Sequence, residues 1–208
     1  MIDGRSIWEA DLVKTFERET HAGKNVLDVG ANLGLHTILL SRHVSRIGQG
    51  GKVIAIEPHP EIFPFTDFNC SALANVQCIN KAASDVDGSL FYMPSILTSA
   101  NAGGVSLVAE RQEGMFPVES VTIDSLAIDN VGFMKVDVEG HELCCLKGAM
   151  ETIRRCRPTM VIEIMGGHCL QTATPPIAAE IRRRVEIICS LGYLADQLSE
   201  HDYLFRPR

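Results

Sequence analysis

Hydrophobic and polar positions along this chain follow two alternating patterns. Short, mostly apolar runs at Asn25–Val29, Val53–Ile56, Val76–Ile79, Phe133–Val136 and Met160–Ile164 read as buried strands. Between them the apolar residues take a helical spacing. Ile7, Leu12, Val13 and Phe16 mark a helix over Ile7–Thr20, and the next runs from Leu33 to Val44. A third opens at Pro60 and reaches Leu73, with Phe65, Phe68 and Leu73 as its core candidates. Leu143, Leu146, Met150 and Ile153 give one helix that Pro158 ends, and Pro176–Leu191 gives another, stopped by Gly192. Ser89–Met93 and Val118–Val121 read as short strands, and Tyr193–Leu198 with Tyr203–Phe205 as a closing pair. Pro94–Gly104 and Gly166–Thr174 read as loops. The strand–helix alternation over residues 25–80 predicts an α/β fold, with a parallel sheet and right-handed crossovers. Residues 25–208 form the main domain, and 1–24 an N-terminal helical segment packed on it.

Composition narrows the function. The chain has 208 residues with an ordinary apolar content of 46%, enough for a substantial core. Its net charge of −7 argues against sequence-independent nucleic-acid binding, which needs Lys and Arg to neutralise phosphates. The one basic cluster, Arg182-Arg183-Arg184, reads as a solvated helix face. No apolar run has the length of a membrane span, and Met1–Ala10 lacks the apolar centre of a secretory signal. The seven cysteines are odd in number and form no C-x-x-C pair, so free thiols in a reducing cytoplasm are expected.

In open α/β sheets, ligands bind outside the carboxyl ends of the strands. Three acidic residues stand there: Asp28, Glu57 and Asp137. After the first strand comes Gly30-Ala31-Asn32-Leu33-Gly34, a turn into a helix whose backbone N–H groups are expected to face a ligand. Asn32 occupies the position where a dinucleotide fingerprint has its middle glycine, so a pyrophosphate fits poorly and a smaller anionic end fits better. Glu57, on a turn stiffened by Pro58, is placed to accept hydrogen bonds from both hydroxyls of a ribose. Ala83 and Ser84 follow the third strand, where an adenine ring would lie, and Asp85 reads equally as part of a turn. Lys135-Val136-Asp137-Val138-Glu139-Gly140-His141-Glu142 crowds titratable groups at one strand end, a general-base candidate. Its spacing matches no standard metal-ligand pattern, and no metal is expected. His36, one turn into the first crossover helix, is either a pocket residue or a helix-surface one.

Several ordered blocks together resemble one family. They are Asp28-Val-Gly30-Ala31-Asn32-Leu-Gly34, Glu57-Pro58-His-Pro60, Asn80-Lys-Ala82-Ala83-Ser84-Asp85, Thr122-Ile-Asp124-Ser-Leu126, Asp137-Val-Glu139-Gly140-His141-Glu142 and Leu146-Lys147-Gly148. They are similar to the FkbM family of S-adenosylmethionine-dependent methyltransferases, over roughly residues 25–164. The resemblance implies a class I methyltransferase (Rossmann-like) sandwich with a mostly parallel seven-stranded sheet whose last strand is antiparallel. It implies S-adenosylmethionine as cofactor. Asp28, Gly30, Ala31, Asn32 and Gly34 would lie at its methionine end, Glu57 and Pro58 at the ribose, Ala83 and Ser84 at the adenine, and Asp137 near the sulfonium. Asp137, Glu139 or His141 would supply the base or orient the acceptor. O-methylation of a hydroxyl on a sugar, glycan or small natural product is the implied reaction. The alternatives are a nicotinamide-dependent oxidoreductase and a non-catalytic module that binds S-adenosylmethionine. A nucleic-acid ribose methyltransferase is disfavoured by the charge.

Overall fold

The computed structural model describes residues 10–94, 106–164 and 170–208. Nearly all of the expected loop Pro94–Gly104, residues 166–169 of the loop Gly166–Thr174, and the first part of the N-terminal helix fall outside them.

The main sheet has seven strands in the order β3-β2-β1-β7-β8-β10-β9. Five of them are parallel: β1 (Asn25–Val29), β2 (Val53–Ile56), β3 (Val76–Ile79), β7 (Val131–Val136) and β8 (Thr159–Glu163). The last strand, β10 (Asp202–Pro207), runs antiparallel to both β8 and β9 (Tyr193–Gln197). This is the sheet of a class I methyltransferase, as the sequence implies. A second sheet of three strands, β4 (Ala82–Ala83), β5 (Leu90–Pro94) and β6 (Met115–Val121), covers the region after β3.

Strand alternation sorts the core into two faces. Leu27, Val29, Ile54, Ile56, Met134 and Val136 pack with Ile153 and with Ile181 and Ile188 of α6 (Pro175–Ser190). Val26, Val53, Phe133, Val161 and Leu204 face α1 (Ala10–Glu19) and α2 (Leu35–Ile47), where Phe16 meets Phe133 edge to face at 5.6 Å. Asp28 and Lys135 fall on this second face, and the β1–β7 register sets them directly opposite each other. α2 carries polar residues on its inward side: Thr37 donates to Asp28, and Ser41 donates to the Asn75 side chain.

Two expectations need correction. The helix after β7 is two helices, α4 (Glu142–Lys147) and α5 (Met150–Cys156). Gly148 interrupts them because it packs against the Ser84 carbonyl, where a Cβ would sit 1.8 Å from the oxygen. The Asp124 carboxylate, at the head of a 3-10 turn (Asp124–Leu126), then caps α5 through the Glu151 and Thr152 amides. Finally, α3 (Phe63–Cys70) turns Thr66 and Cys70 inward, which leaves Phe65 and Phe68 exposed rather than in the core.

Candidate active site

The carboxyl ends of β1, β2 and β7 open onto a cleft with about 680 Å³ of empty space, part of it open to solvent. Gly30, Asn32, Glu57, Pro58, Asp137 and Glu139 line it, with Val29, Ile56, Ile62, Ala83, Met93 and Leu107 as its apolar wall.

The turn after β1 is shaped by close approach. Gly30 has φ +79, and a Cβ there would lie 1.7 Å from the Asp137 carbonyl oxygen. Glycine is therefore required, on steric as well as conformational grounds. The expected row of ligand-facing amides is not what this turn offers. The Gly30 and Ala31 amides both donate to the Ile56 carbonyl, Asn32 to Glu57 Oε2, Leu33 to the Asn32 side chain, and Gly34 to the Ala31 carbonyl. All five amides are thus already satisfied, three of them by Ile56 and Glu57 at the end of β2. What the turn presents to a ligand is its backbone shape and the carboxylate it grips.

That carboxylate is Glu57, only 5% exposed. Oε2 accepts the Asn32 amide and Oε1 the His59 amide, each at 2.8 Å. Each oxygen keeps a second lone pair for a ligand hydroxyl. Burial pushes the Glu57 carboxyl up to about 7, against the two amide bonds that hold it down. Asn80 clamps the same turn by donating to the Glu57 and Pro58 carbonyls. His59, fully buried, accepts the Glu61 amide at Nδ1, which leaves Nε2 to donate to the Pro94 carbonyl. Nothing in the sequence marks His59 for this role.

The opposite wall is built from side chains. Lys135 Nζ donates to Asp137 Oδ2 at 3.0 Å and lies 3.8 Å from Asp28 Oδ1. Asp137, Glu139 and Glu163 each offer a carboxylate oxygen, and the three oxygens lie within 4.8 Å of one another. Unit charges at such a separation repel by roughly 3–4 kcal/mol at an effective dielectric constant of 20. Their protonation diverges accordingly. Burial, and then the Asp137 charge, push Glu163 up to about 9. Burial also opposes ionisation of Asp137, but the Lys135 ammonium, a hydrogen bond from Glu163 and nearby His36 outweigh it, and Asp137 is held below the usual range. Glu139 is raised, by burial first and then by the charges of Asp137 and Glu142. Its backbone is left-handed, φ +50, immediately before Gly140 at φ +99. Glu163 was not singled out from the sequence, though it obeys the same rule as the others: an acidic residue ending a buried apolar strand.

Five expected site residues lie off the pocket wall. Asp28 is fully buried beneath it, tied to Thr37 and Lys135. Ala31 is buried in the turn, and Gly34 serves as the left-handed start of α2. Ser84, also fully buried, is bonded to His141 Nε2 at 2.9 Å. His141 is the fifth. The turn at Glu139-Gly140 directs its ring away from the acidic cluster, to Ser84 and to Phe91 at 5.3 Å, and burial lowers its affinity for a proton. Glu142 is likewise structural: it accepts the Gly140 amide and pairs with Arg184. The Asp137–Glu142 block thus divides, its first half facing the pocket and its second half anchoring the turn. The buried His36, edge to face with Phe16 at 5.3 Å, lies close enough to Asp137 to affect its charge.

Residues 28–195 match the family profile described as the methyltransferase FkbM domain. Among curated proteins, the hexuronic acid methyltransferase AglP of Haloferax volcanii is 27% identical over 164 residues, which cover 76% of this chain and 63% of AglP. Among solved structures, the methyltransferase FkbM of Methylobacillus flagellatus superposes with a TM-score of 0.58 at 16% identity, over 89% of this chain and 44% of that one. A SAM dependent methyltransferase from Aquifex aeolicus superposes with a TM-score of 0.51 at 17% identity, over 93% and 85%. The two structural likenesses establish the fold. The matched region spans less than two thirds of AglP and less than half of the M. flagellatus protein.

Proposed function

The chain belongs to the FkbM methyltransferase family, and we propose that it is an S-adenosylmethionine-dependent O-methyltransferase whose acceptor is a hydroxyl on a sugar. The observation that carries this reading is the charge of the pocket wall. Glu57, Asp137 and Glu139 all line it, and no Lys or Arg does among the described residues. Such a wall favours a sulfonium cation and repels a pyrophosphate, which counts against a nicotinamide dinucleotide. The residues fit the cofactor in kind as well. Glu57 would take the ribose hydroxyls, Pro58 and Ala83 would flank the nucleoside, and Gly30 and Asn32 would bound the methionine end. When bound, S-adenosylmethionine supplies an activated methyl group.

The protein's share of the work is alignment and proton handling. The Gly30 turn brings the β1 end to within contact of the Asp137 backbone, so ribose anchor and acceptor wall form one rigid frame. Asp137 is ionised, fixed by Lys135 and open to the pocket, with its side chain 35% exposed. It orients the acceptor hydroxyl and receives its proton. Glu139 borders the same space. The sugar acceptor is supported by the name of the relative AglP, a hexuronic acid methyltransferase.

Calorimetry with S-adenosylhomocysteine and with NAD tests the cofactor, and isotope-labelled S-adenosylmethionine with a panel of glycosides tests the acceptor. The reading predicts that S-adenosylhomocysteine binds, NAD does not, and a glycoside gains one labelled methyl group on oxygen. NAD binding in place of S-adenosylhomocysteine would return the oxidoreductase. Binding without transfer to any acceptor would leave a cofactor-binding module.

A further inference from the structure

The end of β8 places Glu163 against the Asp137 carboxyl, in a position that the family blocks in the sequence do not include. Its surroundings are mostly anionic. Asp137 and Glu139 approach from the β7–α4 turn, and Asp202 of β10 stands opposite it in the sheet register. Behind Asp137 lies Lys135, which already donates to Asp137 Oδ2 and is shared with Asp28. His36 of α2 also acts on Asp137 electrostatically. Lys135 thus pairs with both Asp28 and Asp137. Two carboxyl groups whose oxygens lie within 4.8 Å of each other are relieved of their repulsion by a proton between them, because an ionised carboxylate is an acceptor only.

We propose that Glu163 is a positioning residue that acts as a carboxylic acid: it donates its proton to Asp137 and so fixes which Asp137 oxygen faces the acceptor. This deepens the methyltransferase reading and rests on it for its catalytic meaning. Asp137 is then held from two sides, by Lys135 on one and by Glu163 on the other. When the acceptor hydroxyl gives up its proton, Asp137 takes it on the oxygen turned to the pocket, while Glu163 keeps its own. The pair passes from one proton to two, and Asp137 returns the extra one to solvent before the next turnover. The strong rise in the Glu163 value, caused first by burial and then by the Asp137 charge, agrees with a carboxyl that stays protonated at neutral pH.

The test needs neither cofactor nor acceptor. Carboxyl carbons of Glu and Asp are labelled with carbon-13 in the whole chain and titrated by NMR from roughly pH 5 to 10. One Glu signal is expected to remain protonated through neutrality and to titrate near 9. It should be absent from Glu163→Gln, and in Asp137→Asn it should move down toward the ordinary carboxyl range. All Glu carboxyls ionised at neutral pH would overturn the proposal. So would a high signal unaffected by Asp137→Asn, or one abolished by magnesium at neutral pH, since a cation would then hold the pair together.

A turnover assay with a glycoside acceptor from the labelling panel adds a second readout. An amide can donate the same hydrogen bond, so Glu163→Gln should keep turnover within about threefold and lose the alkaline fall of the wild-type pH profile. Glu163→Ala should lose roughly tenfold or more. If Glu163→Gln were as poor as Glu163→Ala, Glu163 would be acting as a base and the proposal would fail. Should Glu163→Ala not fold, the NMR titration of the other two variants still decides. Failure to bind S-adenosylhomocysteine, by contrast, would count against the methyltransferase reading and leave the carboxyl pair untouched.

Discussion

The two walls of the pocket solve one problem, a carboxyl group at the end of a buried strand, by different means. On the β2 side, Glu57 is gripped by two backbone amides and is almost fully buried. On the β7 side, Asp137 is held by a lysine and a neighbouring acid and stays partly open. Backbone amides are fixed by the fold and cannot titrate, so the first wall is a stationary acceptor suited to binding. Side-chain partners can exchange protons, so the second wall is suited to handling one. The contrast teaches that similar strand-end residues take opposite duties according to what neutralises them.

The largest expected effect joins the two walls. Gly30→Ala should separate them, because its Cβ has no room against the Asp137 carbonyl and its φ is +79. A loss of about 4 kcal/mol or more in urea unfolding is expected, with S-adenosylhomocysteine binding lost in calorimetry. Gly34→Ala, at φ +82 but 3.2 Å from the Cys70 sulfur, should cost only about 1–2 kcal/mol. Equal effects at the two glycines would mean that the Gly30 contact does not tie the walls together.

Lys135→Met bears chiefly on the second wall. Removing a buried ammonium leaves Asp28 and Asp137 facing each other without it, and about 3–5 kcal/mol should be lost at neutral pH. Asp137 is held below its ordinary value of 3.8, so its contribution is present above that value and is lost as pH falls through the lowered one. The deficit of Lys135→Met should therefore narrow in acid, as measured by unfolding at successive pH values. A deficit independent of pH would assign it to packing rather than charge.

The smallest effect isolates the first wall. Glu57 is raised from 4.5 to about 7, so its share of stability is fully present below 4.5 and is lost as pH rises through 7. Ligand binding should run the other way, since ribose hydroxyls need the ionised form. Affinity for S-adenosylhomocysteine should weaken by up to roughly tenfold per pH unit below 7 in the wild type, and far less in Glu57→Gln. An unchanged slope in Glu57→Gln would remove Glu57 from the binding wall.

Much of this was legible in the chain itself. Apolar runs and helical spacing located the five parallel strands and most of the helices, because burial on both faces gives a strand a continuous apolar run and burial on one side gives a helix its period. Strand-end acidity pointed to the pocket edge, and the same rule applied to Glu163 would have included it. The blocks from Asp28 to Gly148 carried the family. Tertiary structure decided the rest. The facing of Asp28 with Lys135 depends on the β1–β7 register between strands distant in sequence. The need for glycine at 30 and 148 comes from carbonyls supplied by other segments. The turn amides were consumed by Ile56 and Glu57, which lie one strand away. His141 was turned from the pocket by a left-handed pair of residues just before it. A sequence states which groups occur at strand ends. Which of them touch, and so which can hold or pass a proton, depends on distances of a few ångströms across neighbouring strands, and those exist only after the sheet has formed.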